Sequence, residues 1–321
     1  MGLRKKGEGK HSMLTRRQFV QAGVAAAALL PLARTFAGTS AKSRLILLGT
    51  AGGPTPKPNR AAPAQAIVVG DACYVVDCGN GVARQLIQAK LRLGSIRSVF
   101  ITHHHSDHNA DYGNLIWLAW ASDLATRVDT YGPPPLARMT KQFLALNDAD
   151  IRTRSADEGR PPLEPLIAAH EISTGGVVME DANVKVTAAL VEHPPVTPAF
   201  AYRFDCPDRS IVISGDTRPS RALVELARDA DVLVHEVMHV PSIDALLARE
   251  SNASTLRQHL LASHTTTEQV GQLASEAGVK TLVLSHFVPG GHPFLGDDVW
   301  YRAVRPHFAG NLIVGHDLLE I

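Results

Sequence analysis

The sequence contains few cysteines and none of the glycine-rich loops that bind nucleotides, and both shortages exclude kinds of site. Its 321 residues include three cysteines, Cys73, Cys78 and Cys206, none of them in Cys-x-x-Cys spacing. A zinc site built from paired thiolates is therefore not predicted, and we expect buried thiols, at least one of them unpaired. The Gly-x-Gly-x-x-Gly and Walker patterns are also missing, so no organic cofactor is indicated.

The chain also lacks an apolar run of the roughly 20 residues that a membrane span needs. A shorter apolar run, 20–30, follows a basic opening and the pair Arg16-Arg17. This layout is typical of a bacterial signal for the twin-arginine export machinery. We expect residues 1–37 to be a cleaved signal peptide and residues 38–321 to be the mature, periplasmic or secreted domain. An uncleaved anchor or a surface helix is the alternative.

An excess of basic residues is missing from that mature part. Residues 1–37 hold seven of the 32 basic residues and one of the 31 acidic ones, so the remainder has 25 bases, 30 acids and a net charge of −5. Proteins that bind the phosphate backbone depend on clustered lysine and arginine. Nucleic acid is therefore not expected as a partner, and a small-molecule substrate is expected.

Short β-branched runs alternate with helical stretches through the mature part. The predicted strands are 44–49, 64–69, 73–79, 98–102, 128–132, 184–193, 199–204, 210–215, 231–236, 281–286 and 311–317. The predicted helices are 81–92, 111–124, 134–147, 219–229 and 266–278. Paired strands with few helices between them, followed by alternation, favour an α/β sandwich of two mixed sheets with helices outside. The polar, proline-rich segment 148–165 is expected to be either a long loop or a small cap, placed as a lid near the site.

The segment Thr102–His108, "THHHSDH", is where the residue pattern indicates chemistry. It directly follows an apolar strand and carries four histidines and an aspartate. Imidazole nitrogens and carboxylates are the ligands that Zn²⁺ prefers when thiolates are absent. A tight turn after a strand directs His103 and His105 to one point and Asp107 and His108 to a neighbouring point. Two ions about 3.5–4 Å apart fit such an arrangement. His104 points elsewhere and is expected to be structural.

A two-ion site needs more ligands than one loop supplies, and three later strands end in a suitable residue. These residues are His193, Asp216 and His286. The first ion is assigned His103, His105 and His193, and the second is assigned Asp107, His108 and His286. Asp216 has two carboxylate oxygens and is expected to bridge both ions.

With these motifs in the order "HHHSDH", "EHPP", "SGDT" and "LSHF", the chain resembles the metallo-β-lactamase superfamily over nearly all of residues 44–317. The resemblance implies an αββα sandwich with the metals at one edge. Three further segments resemble the ribonuclease Z-like branch: the opening "ILLGTAGGPTPKPNRAAPAQAI", the segment "VLVHEVMH" and the segment "SHTTTEQVGQLASEAGVKTLVLSHF". The resemblance implies that His264 acts on the leaving group, helped by His235 and Glu236.

The sequence departs from ribonuclease Z in its export signal, its acidic body and its lack of a long basic arm. The exported relatives resemble metal-dependent aryl- or alkylsulfatases and small phosphodiesterases. We therefore expect an exported hydrolase that cleaves a sulfate ester or phosphodiester, with two divalent ions, Zn²⁺ by preference. In the expected mechanism a hydroxide held by the ions would attack, with Asp107 orienting it and His264 protonating the leaving oxygen.

Two rival functions remain open at this point. A lactonase, thioesterase or β-lactamase shares the ligand set but does not need the His-Glu and His-Thr features. A binding protein without turnover is disfavoured by the complete set of seven ligands. Related enzymes of the ribonuclease Z-like branch are often dimers, so a homodimer is a weak expectation.

Overall fold

The computed structural model describes residues 42–248, 252–290 and 295–321. The predicted signal peptide and its boundary at residues 37 and 38 lie outside these residues. In the described parts, no helix is both long and apolar enough to cross a bilayer.

Six strands form the first sheet, in the order in which they occur along the chain. They are β1 (Ser43–Gly49), β2 (Ala64–Val69), β3 (Ala72–Val76), β4 (Ile96–Phe100), β5 (Val128–Gly132) and β6 (Ile167–Glu171). Neighbours from β1 to β3 are antiparallel, and those from β3 to β6 are parallel. The sheet is therefore mixed, as the sequence pattern predicted.

Seven strands form the second sheet, in the reverse of chain order. They are β7 (Gly176–Glu180), β8 (Lys185–His193), β9 (Val196–Asp205), β10 (Ser210–Ile213), β11 (Val232–Met238), β12 (Thr281–Val288) and β13 (Asn311–Val314). β7 to β10 are antiparallel, and β10 to β13 are parallel. Parallel strands share one direction, so β10, β11 and β12 deliver their last residues to the same edge.

Ten α-helices occur in the described residues. They are α1 (Val82–Gln88), α2 (Ser106–Asn109), α3 (Tyr112–Ser122), α4 (Leu136–Leu146), α5 (Asp148–Asp157), α6 (Arg221–Leu226), α7 (Ile243–Leu247), α8 (Ala253–Ser263), α9 (Thr267–Ala277) and α10 (Asp297–Val304). Of these, α1, α3, α6, α9 and α10 pack on the outer faces of the two sheets. α9 shows how the sequence sets a boundary, because Thr266 and Gln269 form a reciprocal capping box and Gly278 ends the helix at φ 68°.

Three apolar clusters correspond to the layers of the sandwich. One lies between the sheets and contains Phe100, Phe200 and Tyr202. A second packs the outer face of the first sheet against α1 and α3, and a third packs the outer face of the second sheet against α6, α9 and α10. The αββα sandwich expected from the sequence is thus confirmed.

Of the two forms expected for segment 148–165, the long loop is wrong, because much of the segment is helical. Residues Asp148–Asp157 form α5, which is stabilised by ion pairs one helical turn apart, such as Arg154 with Asp150 at 3.0 Å. The Nε1 of Trp117 on α3 also donates to Asp150 at 3.1 Å. The segment has no helical period of apolar residues, so the sequence pattern did not predict a helix. The ion pairs and the bond to Trp117 stabilise the helix instead.

Candidate metal centre

The loop after β4 carries four of the seven predicted ligands. β4 ends at Phe100, and α2 begins at Ser106, so the chain turns sharply between them. His103 is buried in this turn, and Asp107 and His108 are buried in α2, while His105 is half-buried. His104 turns away, since its Nε2 donates to the carbonyl of Pro133 at 2.7 Å.

The other three ligands arrive from the second sheet, and irregular pairing aims two of them. The pairing of β8 with β9 shifts between Val191 and His193. In β12, Ser285 and Phe287 pair with consecutive residues of β11, which leaves His286 as an extra residue with φ 43°. A bulge of this kind re-aims a side chain. Asp216 follows β10, whose parallel direction brings it to the same edge.

The first cluster consists of His103, His105, His193 and Asp216. The Nδ1 of His105 lies 3.1 Å from the Nε2 of His103 and 3.1 Å from the Nε2 of His193. The Oδ2 of Asp216 lies 3.9 Å from each of those Nε2 atoms. Ligands of a tetrahedral zinc site, each about 2.0–2.1 Å from the ion, lie about 3.3 Å apart, so these spacings suit one small cation.

The second cluster consists of Asp107, His108, His286 and the same Asp216. The Oδ1 of Asp216 lies 3.2 Å from the Nε2 of His108 and 3.2 Å from the Nε2 of His286. The Oδ2 of Asp107 lies 3.6 Å from the first of these nitrogens and 3.4 Å from the second. The two oxygens of Asp216 thus face different clusters, which is the placement that a bridging carboxylate requires.

Hydrogen bonds around the histidines test whether the clusters suit cations. His108 donates from Nδ1 to Asp77 at 2.8 Å, and His193 donates from Nδ1 to the carbonyl of Ser263 at 3.0 Å. A carboxylate or carbonyl oxygen only accepts, so the proton is on Nδ1 and the Nε2 lone pair faces the cluster.

Two buried atoms carry the test further. The Nε2 of His108 and the Oδ1 of Asp216 have no hydrogen-bond partner among the described residues. Buried polar atoms are normally paired, so unpaired lone pairs that face one another in a cluster are suited to binding a cation. The residues present therefore fit two divalent ions.

The titratable side chains of the two clusters shift one another's pKa values. Burial acts to raise the pKa of Asp216, but His286 and His108 outweigh it and hold that pKa well below its usual range. Burial and the neighbouring His193 lower the pKa of His105 to about 4. For His108, burial opposes protonation, but Asp216 and Asp77 raise its pKa well above the ordinary value. A proton and a cation then compete for one nitrogen lone pair.

Beside the clusters, His264 and Glu236 form the predicted pair. The Nδ1 of His264 lies 3.1 Å from both carboxylate oxygens of Glu236. Burial lowers the pKa of His264, but Glu236 raises it further, to about 9. The carboxylate itself is fixed by the backbone N–H of Thr217, at 3.0 Å. Both side chains are buried, so the pair is held in one orientation.

His235 does not join this pair. Successive residues of β11 point to opposite faces, and the Nδ1 of His235 bonds to the backbone carbonyl of Glu236 at 2.6 Å. Its imidazole is fully buried and is absent from the described lining of the cavity and from the ligand clusters. The alternation of the strand therefore brings Glu236, and not His235, against His264.

A cavity of about 400 Å³ opens onto the clusters. His105, Asp107, Asp216, His264 and His286 line it on one side. None of its described lining residues belongs to 148–165, so the predicted lid does not cover it.

Several residues that shape the site were missed in the sequence. Asp77 orients His108, Ser263 orients His193, and His259 on α8 lines the cavity with its ring centroid 6.1 Å from that of His264. A helix around 253–263 was not predicted at all. Asp77 lies inside the strand predicted for 73–79, and only the structure shows that β3 ends at Val76 and leaves Asp77 at the end of a strand, as the ligands are.

Comparison with known proteins places these observations in a family. The model of the β-lactamase superfamily domain matches residues 73–287. Ribonuclease Z from Mycobacterium bovis (strain BCG / Pasteur 1173P2) is 31% identical over 280 residues, covering 86% of this chain and 97% of the relative. Ribonuclease Z from Mycolicibacterium gilvum is 33% identical over 278 residues, covering 86% and 94%.

Solved structures share the fold at lower identity. The short form of human tRNase Z matches with a TM-score of 0.64 at 20% identity, covering 87% of this chain and 98% of that one. The metallo-β-lactamase fold protein YhfI from Bacillus subtilis matches with a TM-score of 0.61 at 19% identity, covering 87% and 98%. Together with the two ligand clusters, these matches establish that the chain belongs to the metallo-β-lactamase superfamily, as a metal-dependent hydrolase homologous to ribonuclease Z.

Proposed function

We propose that this hydrolase cleaves a phosphodiester of a small molecule at a centre of two divalent ions. The observation that carries the proposal is the pair of ligand clusters sharing Asp216, with the Glu236–His264 pair beside them. A ribonuclease cleaves phosphodiesters, and ribonuclease Z relatives align over 86% of the chain. A sulfate ester presents a similar tetrahedral anionic centre and is the alternative outcome of the same assay.

The residues assigned to the ions are those of the two clusters. The first ion would be held by His103, His105, His193 and Asp216, and the second by Asp107, His108, His286 and Asp216. When bound, two such ions polarise the reacting ester and lower the pKa of a water molecule at the site. The histidine and carboxylate donors favour Zn²⁺.

His264 is assigned the proton transfer to the leaving oxygen. Its Nδ1–H donates to Glu236, so the proton available to a substrate is the one on Nε2. A pKa raised to about 9 keeps the ring protonated near neutrality. Glu236, which accepts at 3.1 Å and is itself held by Thr217, keeps the imidazole aimed. Asp107 accepts from the backbone N–H of Gly53 at 3.1 Å, which fixes the carboxylate beside the second cluster.

The charge of the chain favours a small ester over RNA. Lys57 is the one lysine or arginine among the described residues that line the cavity. Arg218, two residues after Asp216, is paired with Glu192 at 2.8 Å and so offers little to a phosphate backbone. Residues 38–321 carry a net charge of −5. RNA binding depends on several unpaired cations, so the substrate is proposed to be small.

The site of action is proposed to be outside the cytoplasm. Support comes from Arg16-Arg17, the apolar run after them and the basic opening of the chain. In a bacterium with twin-arginine export, the Arg16→Lys/Arg17→Lys variant should remain in the cytoplasm while the parent chain appears in the periplasm or medium, shortened at its N-terminus. Equal distribution of the two chains would contradict the proposal.

A competition between three substrates tests the reaction. Purified, zinc-loaded protein is offered bis-p-nitrophenyl phosphate, p-nitrophenyl sulfate and a simple lactone. The proposal expects the phosphodiester to have the highest kcat/KM, activity that disappears with a chelator, and recovery on adding zinc. Faster cleavage of the sulfate reassigns the substrate to sulfate esters. Faster cleavage of the lactone would mean that the Glu236–His264 pair does not serve phosphodiester or sulfate-ester cleavage.

A further inference from the structure

The cavity has one wall that the reaction itself does not use, and the cavity-facing side of α8 forms it. Asn252, just before the helix, and Leu256, His259 and Leu260 within it line the cavity. Their spacing of four, seven and eight residues places them on one face of the helix. Val288, at the end of β12, lines the same cavity.

This wall is part of a separate apolar cluster. The cluster contains Met238, Ile243, Leu247, Leu260 and Val288, with Leu256 packed against it. It lies apart from the three clusters that fill the sandwich. Its buried members give the α8 wall a rigid backing, while Leu256 stays partly accessible from the cavity.

The wall is also fixed relative to the metal ligands through Ser263, the last residue of α8. The carbonyl of Ser263 accepts from His193 at 3.0 Å, and its hydroxyl donates to the carbonyl of Pro194. Since that hydroxyl proton is already used, the contact of 3.3 Å with His259 must have the Nδ1–H of His259 as donor. These bonds couple the end of α8 to the first cluster.

The position of the wall relative to His264 decides what it contacts. His264 directly follows α8 and carries the proton proposed for the leaving oxygen. The group attached to that oxygen must therefore lie against the end of α8. The wall offers two leucines, and its described residues include no lysine, arginine, aspartate or glutamate.

We propose that Leu256, Leu260 and Val288 form the leaving-group subsite, and that the substrate is the ester of a compact, uncharged, apolar alcohol or phenol. This rests on the proposed function, since it takes the reaction centre as given. A nucleotide or another charged organic group is disfavoured in this subsite, because burying a charge against leucine without a partner is costly.

A pair of substrates and a charge change on α8 test the subsite. The substrates are methyl p-nitrophenyl phosphate and methyl 3-carboxy-4-nitrophenyl phosphate, which differ by one carboxylate on the leaving phenol. The selectivity is the ratio of their kcat/KM values, and comparing it between variants cancels intrinsic reactivity. The parent protein should prefer the neutral phenol. In Leu256→Lys the selectivity should fall about tenfold, because apolar contact is lost and the lysine attracts the carboxylate of the second substrate.

Leu261 provides the matched control, because it lies on the same helix and is 41% exposed, away from the cavity lining. Leu261→Lys should keep the selectivity within about twofold of the parent value. Leu256→Ala, which adds no charge, should lower it about threefold by removing apolar contact alone. Zinc content and circular dichroism confirm that each variant is folded and loaded.

Two outcomes overturn the subsite, and they are distinguishable. If the parent chain cleaves both phosphodiesters but Leu256→Lys and Leu261→Lys have equal selectivity, the leaving group does not lie on α8, while the proposed function stands. If the parent chain cleaves neither phosphodiester, the proposed function fails and the subsite fails with it.

Discussion

The ligand clusters and the α8 wall meet at the same cavity, yet they are built differently. Most of the ligands are buried at the ends of strands, and the residues behind them, such as Asp77 and Ser263, fix their orientation. The wall is one face of a helix that has its own small apolar cluster. The clusters are therefore expected to govern whether a reaction occurs, and the wall to govern which ester reacts.

Removing the bridging carboxylate should have the largest effect. In Asp216→Ala both clusters lose a ligand, so bound zinc should fall below two ions per chain and kcat/KM should fall on the order of a thousandfold. Metal analysis and the phosphodiester assay measure the two quantities. Asp298→Asn, which removes an exposed carboxylate on α10, should change neither. Retention of two tightly bound ions in Asp216→Ala would contradict the bridge.

Substitutions of His264 and His235 should have different effects on catalysis. His264→Ala is expected to lower kcat about a hundredfold, because general acid catalysis is lost, and to lower it further for leaving groups poorer than p-nitrophenol. His235→Ala should lower the melting temperature but leave kcat of the folded, zinc-loaded protein nearly unchanged, since this ring is buried away from the cavity. Equal kcat losses in the two variants would show that His235 acts together with Glu236 and His264 in catalysis.

A smaller effect is expected from the residues behind the ligands. Asp77→Asn weakens the acceptor that holds the Nδ1–H of His108, so zinc affinity should fall about 10- to 100-fold. Excess zinc should restore most of the activity, which distinguishes this variant from Asp216→Ala. Competition with a chelator of known affinity gives the measurement, and unchanged affinity would mean that the hydrogen bond does not support the ligand.

Zinc affinity should also depend on pH, with a modest slope. The neighbouring carboxylates raise the pKa of His108 well above its ordinary value, so the metal-free protein holds a proton there at neutral pH. Zinc must displace that proton, and apparent affinity should therefore fall as pH falls, by about tenfold per unit for one competing proton. Chelator competition at several pH values measures the slope, and an affinity independent of pH between 6 and 8 would contradict it.

The sequence predicted the residues of the two ligand clusters better than it predicted the α8 wall. Ligands such as His193 and His286 follow apolar runs that are easy to recognise in the sequence. The apolar residues of α8 do not form one clear stripe in the sequence. Leu256 and Leu260 face the cavity, while Leu261 faces solvent. α5 was missed because ion pairs within one turn, and not an apolar face, support it.

Side-chain direction was harder to predict than position. His235 and Glu236 are adjacent, but a strand sends their side chains to opposite faces, so only Glu236 contacts His264. The bulge at His286 reverses this rule locally and could not be anticipated without the pairing of β11 with β12. Asp77 was not proposed, because its role is to hold His108 and depends on proximity across 31 residues of chain.

The most direct test of the two-ion account is a zinc titration of the metal-free protein, followed by hydrolysis of bis-p-nitrophenyl phosphate. Shared ligation by Asp216 predicts that two zinc ions bind per chain, and that most activity appears with the second equivalent. Full phosphodiesterase activity at one equivalent, or no activity with two ions bound, would contradict the account.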